Sequence, residues 1–292
     1  MSDLLIVGAT GRVGGAVADI LSGEERAFAV MSSRPDTARE RYPDVRHGDM
    51  RQPETLPAAL EGIDAAFLVT PLGPDETACG MAFLDAAEAA GVRKVVYVAI
   101  MNIEQMAEIP HFATKLPVRA RLLSGGPHVV ADANFFMQND DMVAPAIASG
   151  AYALPIGEAG VSSVDVRDVA AVCVRALTGD ALDEQAVPVC GETVVTGPSA
   201  AEAYAAALGR PVIYPGDDTA PFLAGMAAMM PPLPPPVADW VKEDFRLMME
   251  VTQAKGCVAN EAQREACRAA LGRAPRSYAA YAEELAGRLG TA

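Results

Sequence analysis

The sequence predicts an α/β fold: a doubly wound, mostly parallel Rossmann sheet with a smaller, largely helical C-terminal substrate-binding part. Three observations carry this. A short, wholly apolar run, Leu4-Leu5-Ile6-Val7, opens the chain and passes at once into a glycine-rich turn and a helical pattern. Apolar strand-like runs then alternate with helical stretches as far as about Phe136. Beyond that point the alternation weakens, and after about residue 220 the pattern turns helical and Met-rich. Residues 1–150 are therefore expected to form an NAD(P)-binding Rossmann domain, and residues 151–292 a smaller pocket-forming part.

Each element has its own justification. Leu4 to Val7 has the continuous apolar character of a strand buried on both faces. Val13 to Leu21 reads as the first helix, Phe28-Ala29-Val30-Met31 as the second strand, and Val45-Arg46-His47 as a short third. A helix near Glu54 to Glu61 leads into Ala65-Ala66-Phe67-Leu68-Val69, the fourth strand. The helix from about Glu76 to Ala90 stops at Gly91, a residue suited to the left-handed turn that ends many helices. Val95-Val96-Tyr97-Val98-Ala99 and His128-Val129-Val130-Ala131 are strands five and six. Strands joined by helices in this order imply parallel neighbours and right-handed crossovers. Segments 151–156, 161–166 and 187–195 are candidate strands, and Asp168 to Leu177 a helix capped by Asp168. Proline is excluded from helix interiors. Pro231-Pro232-Leu233-Pro234-Pro235-Pro236 is therefore read as a rigid, extended connector, and Pro117 argues for a helix that begins only near Leu116.

Composition narrows the function. Of 292 residues, 51% are hydrophobic and 21% charged, enough for a sizeable core. The net charge of −15 has the wrong sign for a protein that neutralises phosphate backbones, so nucleic acid is not expected as a partner. The five cysteines form no CxxC pair and their number is odd, which suits reduced thiols and a cytoplasmic location. Met1-Ser2-Asp3 runs straight into a strand, so no secretion signal is expected. No apolar run reaches the ~20 residues of a membrane span. His47, His111 and His128 stand apart, without metal-ligand spacing, and no metal is expected.

The strongest motif is Gly8-Ala9-Thr10-Gly11-Arg12-Val13-Gly14. Between a first strand and a first helix, such glycines let the backbone turn tightly and approach a pyrophosphate, and the helix N-terminus offers N–H groups to it. Gly8, Thr10, Gly11, Arg12, Val13 and Gly14 are accordingly read as cofactor-binding. The second strand leads into Ser32-Ser33-Arg34, with no carboxylate before Asp36. NAD sites place a carboxylate there for the ribose 2′-hydroxyl, whereas Arg34 and Arg12 suit a 2′-phosphate, so NADP(H) is favoured over NAD(H). Asp49, after Gly48, and Thr70, after the fourth strand, lie at the carboxyl edge where such sheets bind ligands.

With these residues in view, the chain resembles the NmrA-like family of atypical short-chain dehydrogenase/reductase proteins. The likeness runs from the glycine motif and Arg34 through Gly48-Asp49 and Gly62-Ile63-Asp64-Ala65-Ala66-Phe67. It continues in Ala89-Ala90-Gly91-Val92-Arg93-Lys94-Val95-Val96-Tyr97, Asn134-Phe135-Phe136-Met137-Gln138-Asn139 and Val164-Asp165-Val166-Arg167-Asp168-Val169-Ala170. It ends at Ala274-Pro275-Arg276-Ser277-Tyr278. Residues 197–260 match poorly. The resemblance implies either an NADPH-dependent reductase or a redox sensor that binds the cofactor without turnover.

The resemblance also places the chemistry. Short-chain dehydrogenases use a Ser with a YxxxK pair; here His111-Phe112-Ala113-Thr114-Lys115 gives HxxxK. Lys115 is carried over as a cofactor contact and catalytic residue, and His111 stands where the Tyr would be, as a candidate general acid. The Ser position reads Ala99-Ile100-Met101-Asn102, with no hydroxyl, but Asn102 is placed to hydrogen-bond a substrate. Asp132-Ala133 replace the Arg-Pro of many relatives and put a carboxylate at the expected substrate pocket. Phe135, Phe136 and Met137 would supply its apolar wall, and Met226, Met229, Met230, Met248 and Met249 fit a helix core or a hydrophobic cleft.

The expected function is an NADPH-dependent reductase of a small hydrophobic carbonyl, quinone or activated alkene. Alternatives are a non-catalytic NADP(H) sensor read by a protein partner, or a biosynthetic enzyme with altered, non-redox chemistry. A homodimer is compatible with this reading, and no membrane association is expected.

Overall fold

The computed structural model describes residues 2–230 and 233–290. The chain divides into two compact units, each woven from several segments. The first comprises Met1–Ile100, Thr114–Asp132 and Val166–Val187; the second comprises Met101–Ala113, Ala133–Asp165 and Pro188–Ala292.

The elements run in order as β1 (Leu4–Val7), α1 (Arg12–Gly23), β2 (Ala29–Ser32), α2 (Pro35–Arg39), β3 (Val45–His47) and α3 (Leu56–Leu60). Next come β4 (Ala65–Leu68), α4 (Glu76–Ala89), β5 (Lys94–Ile100), α5 (Pro110–Leu122), β6 (Val129–Ala133) and α6 (Ala144–Ala148). The remainder are α7 (Val166–Thr178), β7 (Gln185–Val189), α8 (Gly197–Leu208), α9 (Thr219–Met229), α10 (Pro235–Lys255), α11 (Glu261–Leu271) and α12 (Tyr278–Gly290).

A seven-stranded sheet has the order β3-β2-β1-β4-β5-β6-β7, and the pairs β1–β2, β1–β4, β2–β3 and β4–β5 are parallel. This is the doubly wound Rossmann arrangement expected from the sequence. Strand order reverses between β1 and β4, so the chain leaves their carboxyl ends in diverging directions and opens a crevice there. Alternate residues of each strand face opposite sides. Leu5, Val7, Ala66, Leu68, Val95 and Tyr97 pack on one side against Leu56, Leu60, Phe83, Val118 and Leu122. Each such side chain, wholly withdrawn from water, contributes about 1.5–3 kcal/mol. On β5, Lys94 is fully buried: its ammonium donates to the carbonyls of Ala176 (3.3 Å) and Gly179 (2.7 Å) and pairs with Asp180 (3.0 Å) and Asp183. A cation at the C-terminal end of α7 complements that helix's carbonyls.

In the second unit α8 packs on α12, and α9 on α10. Asp140, fully withdrawn from solvent, accepts hydrogen bonds from Tyr152 (2.8 Å), Tyr204 (2.7 Å) and Tyr278 (2.5 Å). Burial raises its carboxyl to about 6, against the three phenols, which lower it.

Several expectations are corrected. Segments 151–156 and 161–166 make only isolated bridges, Ala151 to Ile213, Val161 to Val195 and Cys257, and Val164 to Phe136, and β7 ends at Val189. Asp168 is not a cap but a buried residue inside the first turn of α7, which starts two residues earlier. Pro117 lies within α5 rather than at its start. Within the proline run, Pro231 and Pro232 lie outside the described residues, while Pro235 and Pro236 open α10. The first helical positions need no N–H partner, which is why proline is at home there.

Candidate functional site

The glycine turn after β1 has the geometry that a dinucleotide requires. Gly8 sits at φ 75°, where a side chain is strained, and its carbonyl accepts the Gly11 N–H at 2.8 Å. A Cβ on Gly14 would come within 2.3 Å of the Gly8 carbonyl oxygen, so only glycine lets α1 pack this close to the turn. Gly11 caps α1 in an extended conformation and supplies no side-chain acceptor. The first N–H groups of a twelve-residue helix therefore point from this cradle with the positive end of the helix dipole behind them.

Beside the cradle lies a cavity of about 280 Å³, lined by Gly8, Thr10, Ser32, Arg34, Asp49 and Thr70 together with neighbouring residues. Five of these residues were singled out from the sequence. Arg12 and Arg34 are both exposed, and Val13 is buried in α1. Asp36, the first carboxylate after β2, pairs with Arg39 at 2.8 Å. Asp49 accepts the Arg51 N–H at 2.9 Å, and Arg51, which also lines the cavity, forms a two-pronged pair with Asp75 (2.6 and 3.0 Å). That pairing holds the Asp75 carboxyl below its ordinary range.

Thr70 connects the cavity to a buried polar cluster. Glu76, at the start of α4 and fully buried, accepts from Thr70 (2.5 Å) and Lys115 (2.5 Å) on one oxygen and from Thr114 (2.6 Å) on the other. Lys115 also donates to Thr70 (3.3 Å), and Tyr97 shares a 3.2 Å hydrogen bond with the same hydroxyl. Burial works to lower the Lys115 pKa, but the Tyr97 phenol and the Glu76 carboxylate outweigh it and hold the ammonium above its ordinary value. Burial likewise raises Tyr97. Lys115 is thus a charge-fixed member of a closed network.

Helix α5 begins at Pro110, so His111 and Lys115 share one regular helix despite Pro117. In the second unit the His111 Nδ1 lies 2.7 Å from Asp244 Oδ2 and 2.9 Å from Oδ1, and the His111 N–H donates to Oδ1 at 2.7 Å. Asn102, at φ 56°, accepts from Gln263 Nε2 at 2.9 Å. Phe135 and Phe136 are half-buried, whereas Met137 is core. Asp132, in the first unit, is nearly buried and forms a two-pronged pair with Arg119 (2.8 and 3.0 Å). Its carboxylate is held by the Arg119 guanidinium. Among the methionines, Met226, Met248 and Met249 are buried and Met229 is exposed. Met226 and Met230 line an apolar cavity of about 610 Å³ with Leu223 and Val241.

Glu76 and Asp244 were not singled out from the sequence. The pairing that reveals each lies 39 and 133 residues away. Among the described residues no group of three or more His, Cys, Asp or Glu is placed to hold a metal, and no helix is long and apolar enough to cross a membrane.

Residues 1–258 match the NmrA-like family model. The chain belongs to the NmrA-like family. It is 38% identical over 217 residues to an NAD(P)H azoreductase of Xenophilus azovorans, covering 72% of this chain and 76% of that one. It is 35% identical over 246 residues to a (4-alkanoyl-5-oxo-2,5-dihydrofuran-3-yl)methyl phosphate reductase of Streptomyces griseus, covering 81% and 83%. Its fold matches an NADPH-dependent quinone oxidoreductase from Escherichia coli, solved with NADPH, with a TM-score of 0.81, 21% identity and coverage of 97% and 99%. The NmrA-like membership agrees with the glycine cradle and the sheet order.

Proposed function

We propose that this NmrA-like protein is an NADPH-dependent reductase of a small hydrophobic carbonyl, quinone or activated alkene. The observation that carries the reading is the uncapped, glycine-walled N-terminus of α1 beside a cavity lined by Arg34, with Asp36, the first carboxylate after β2, paired to Arg39. The azoreductase and (4-alkanoyl-5-oxo-2,5-dihydrofuran-3-yl)methyl phosphate reductase relatives support the reaction class.

In this reading the N–H groups at the start of α1 hold the pyrophosphate, and Arg34 with Arg12 holds a 2′-phosphate through guanidinium forks. Bound NADPH supplies a hydride. Lys115, kept charged by Glu76 and Tyr97, steadies the cofactor's ribose side through Thr70. Glu76 neutralises that charge, so Lys115 is a weak proton donor, and the acid falls to His111. Phe135, Phe136 and the methionine-lined cavity of the second unit favour an apolar substrate over a charged one.

A sensor that binds the cofactor without turnover is the second reading. It is favoured by Met101, buried where a catalytic hydroxyl is usual, and by the closed pairing of Lys115. One experiment decides between them: titrate the protein with NADPH and NADH, then assay quinones, aldehydes, enones and azo dyes. Tight NADPH binding with turnover is expected; tight binding without turnover on any of these would replace the reductase with the sensor.

A further inference from the structure

The contact between His111 and Asp244 asks for an explanation that helix geometry alone does not give. Asp244 lies in α10, and its side chain is completely buried. One oxygen, Oδ1, accepts the backbone N–H of His111 in the first turn of α5, the ordinary work of a capping carboxylate. The other, Oδ2, is the oxygen nearest the imidazole, 2.7 Å from Nδ1. A cap needs only the first contact.

We infer that Asp244 is a positioning residue for proton transfer by His111, fixing the imidazole with Nδ1 protonated so that Nε2 is the nitrogen that exchanges a proton with substrate. The inference rests on the reductase reading and names how its acid is set. With Nδ1–H committed to the carboxylate, the imidazolium is the donor. Its Nε2–H passes to the oxygen that gains an electron pair as hydride adds to carbon. The neutral ring left behind keeps its proton on Nδ1, and Nε2 takes the next one from solvent. A buried carboxylate behind a histidine is the general solution for selecting a tautomer and supporting the cation. The neighbouring Phe112 ring, edge-on at 4.5 Å between centroids, further restricts the imidazole's rotation.

Asp244→Asn separates this role from capping. The amide oxygen can keep the backbone contact at Oδ1, while the amide nitrogen replaces Oδ2 and donates to Nδ1. That forces the proton onto Nε2 and opposes the cation. The expected result is a fall in kcat of about 10²-fold or more with KM and NADPH affinity held within about twofold. His111→Gln should fall similarly, and the double variant no further, because the two act as one unit. The second readout needs no turnover. The chain has three histidines, so ¹⁵N-histidine NMR near pH 9, above the ordinary imidazole range, should show His111 as the Nδ1–H tautomer in the parent and Nε2–H in Asp244→Asn. If His111→Gln lowers kcat and Asp244→Asn does not, or the tautomer stays put, the inference falls and the acid survives. If His111→Gln leaves kcat intact, the acid itself falls, whatever the NMR shows.

Discussion

The two units hold their buried carboxylates by different means. In the first, Glu76 and Asp132 sit against Lys115 and Arg119, cations whose charge does not change in the neutral range. In the second, Asp140 is held by three phenols and Asp244 by a histidine and a backbone N–H. The contrast teaches that burial and partner act together: burial raises the Asp140 carboxyl, and its three phenols oppose this only in part. A fixed cation beside a buried carboxylate compensates its charge directly, which a neutral phenol does not.

The largest effect should come from breaking a fixed pair. Glu76→Ala leaves Lys115 buried without its counter-charge and should cost about 3–5 kcal/mol in urea unfolding. Adding Lys115→Met should recover part of that loss, and a double variant as unstable as the sum of its singles would sink the comparison. Next is Asp140. Its folded pKa of about 6 lies above the ordinary carboxylate value, so the folded state binds the proton more tightly. Its stabilising contribution is complete below about pH 4 and lost as pH rises through about 6, a change of about 3 kcal/mol. Unfolding of the parent against Asp140→Asn should therefore diverge across that window; parallel curves would mean the phenols hold the charge as well as a cation does. The smallest effect concerns an exposed cation of the first unit. Arg34→Ala should weaken NADPH roughly 10–100-fold while changing NADH little, as measured by cofactor titration. Equal losses for both would remove the 2′-phosphate from its role.

The part of the fold that was legible is the part governed by local rules. The strand–glycine–helix opening and strands two to six lie within a residue or two of expectation, since wholly apolar runs and turn glycines declare themselves. The stretches 151–156 and 161–166 are largely buried yet make only isolated bridges, and sequence periodicity cannot tell an extended buried segment from a paired strand. Pro117 misled for a related reason. A proline in the middle of a helix forfeits one hydrogen bond, but Val118 beside it is fully buried against the sheet, and that packing offsets the loss. Of the candidate site, the glycine turn, Arg34, Asp49 and Thr70 were expected at strand ends and border one cavity, whereas Lys115 came from the resemblance and meets Thr70. Glu76 reads as an ordinary acidic residue in a helix's first turn. Asp244 reads as one of several acids on an amphipathic helix. Only the fold brings each to its partner.

The buried amine of Lys94 has a further consequence for how the molecule is made. Its principal acceptor, the Gly179 carbonyl, lies 85 residues downstream. At a ribosomal pace of about 5–20 residues per second, the lysine waits roughly 4–17 s between its own synthesis and that of the carbonyl that will receive it. During that interval β5 carries an uncompensated charge at a position destined for the interior. Lys94 can therefore be buried with its full set of partners only once the last segment of the first unit, Val166–Val187, has been made.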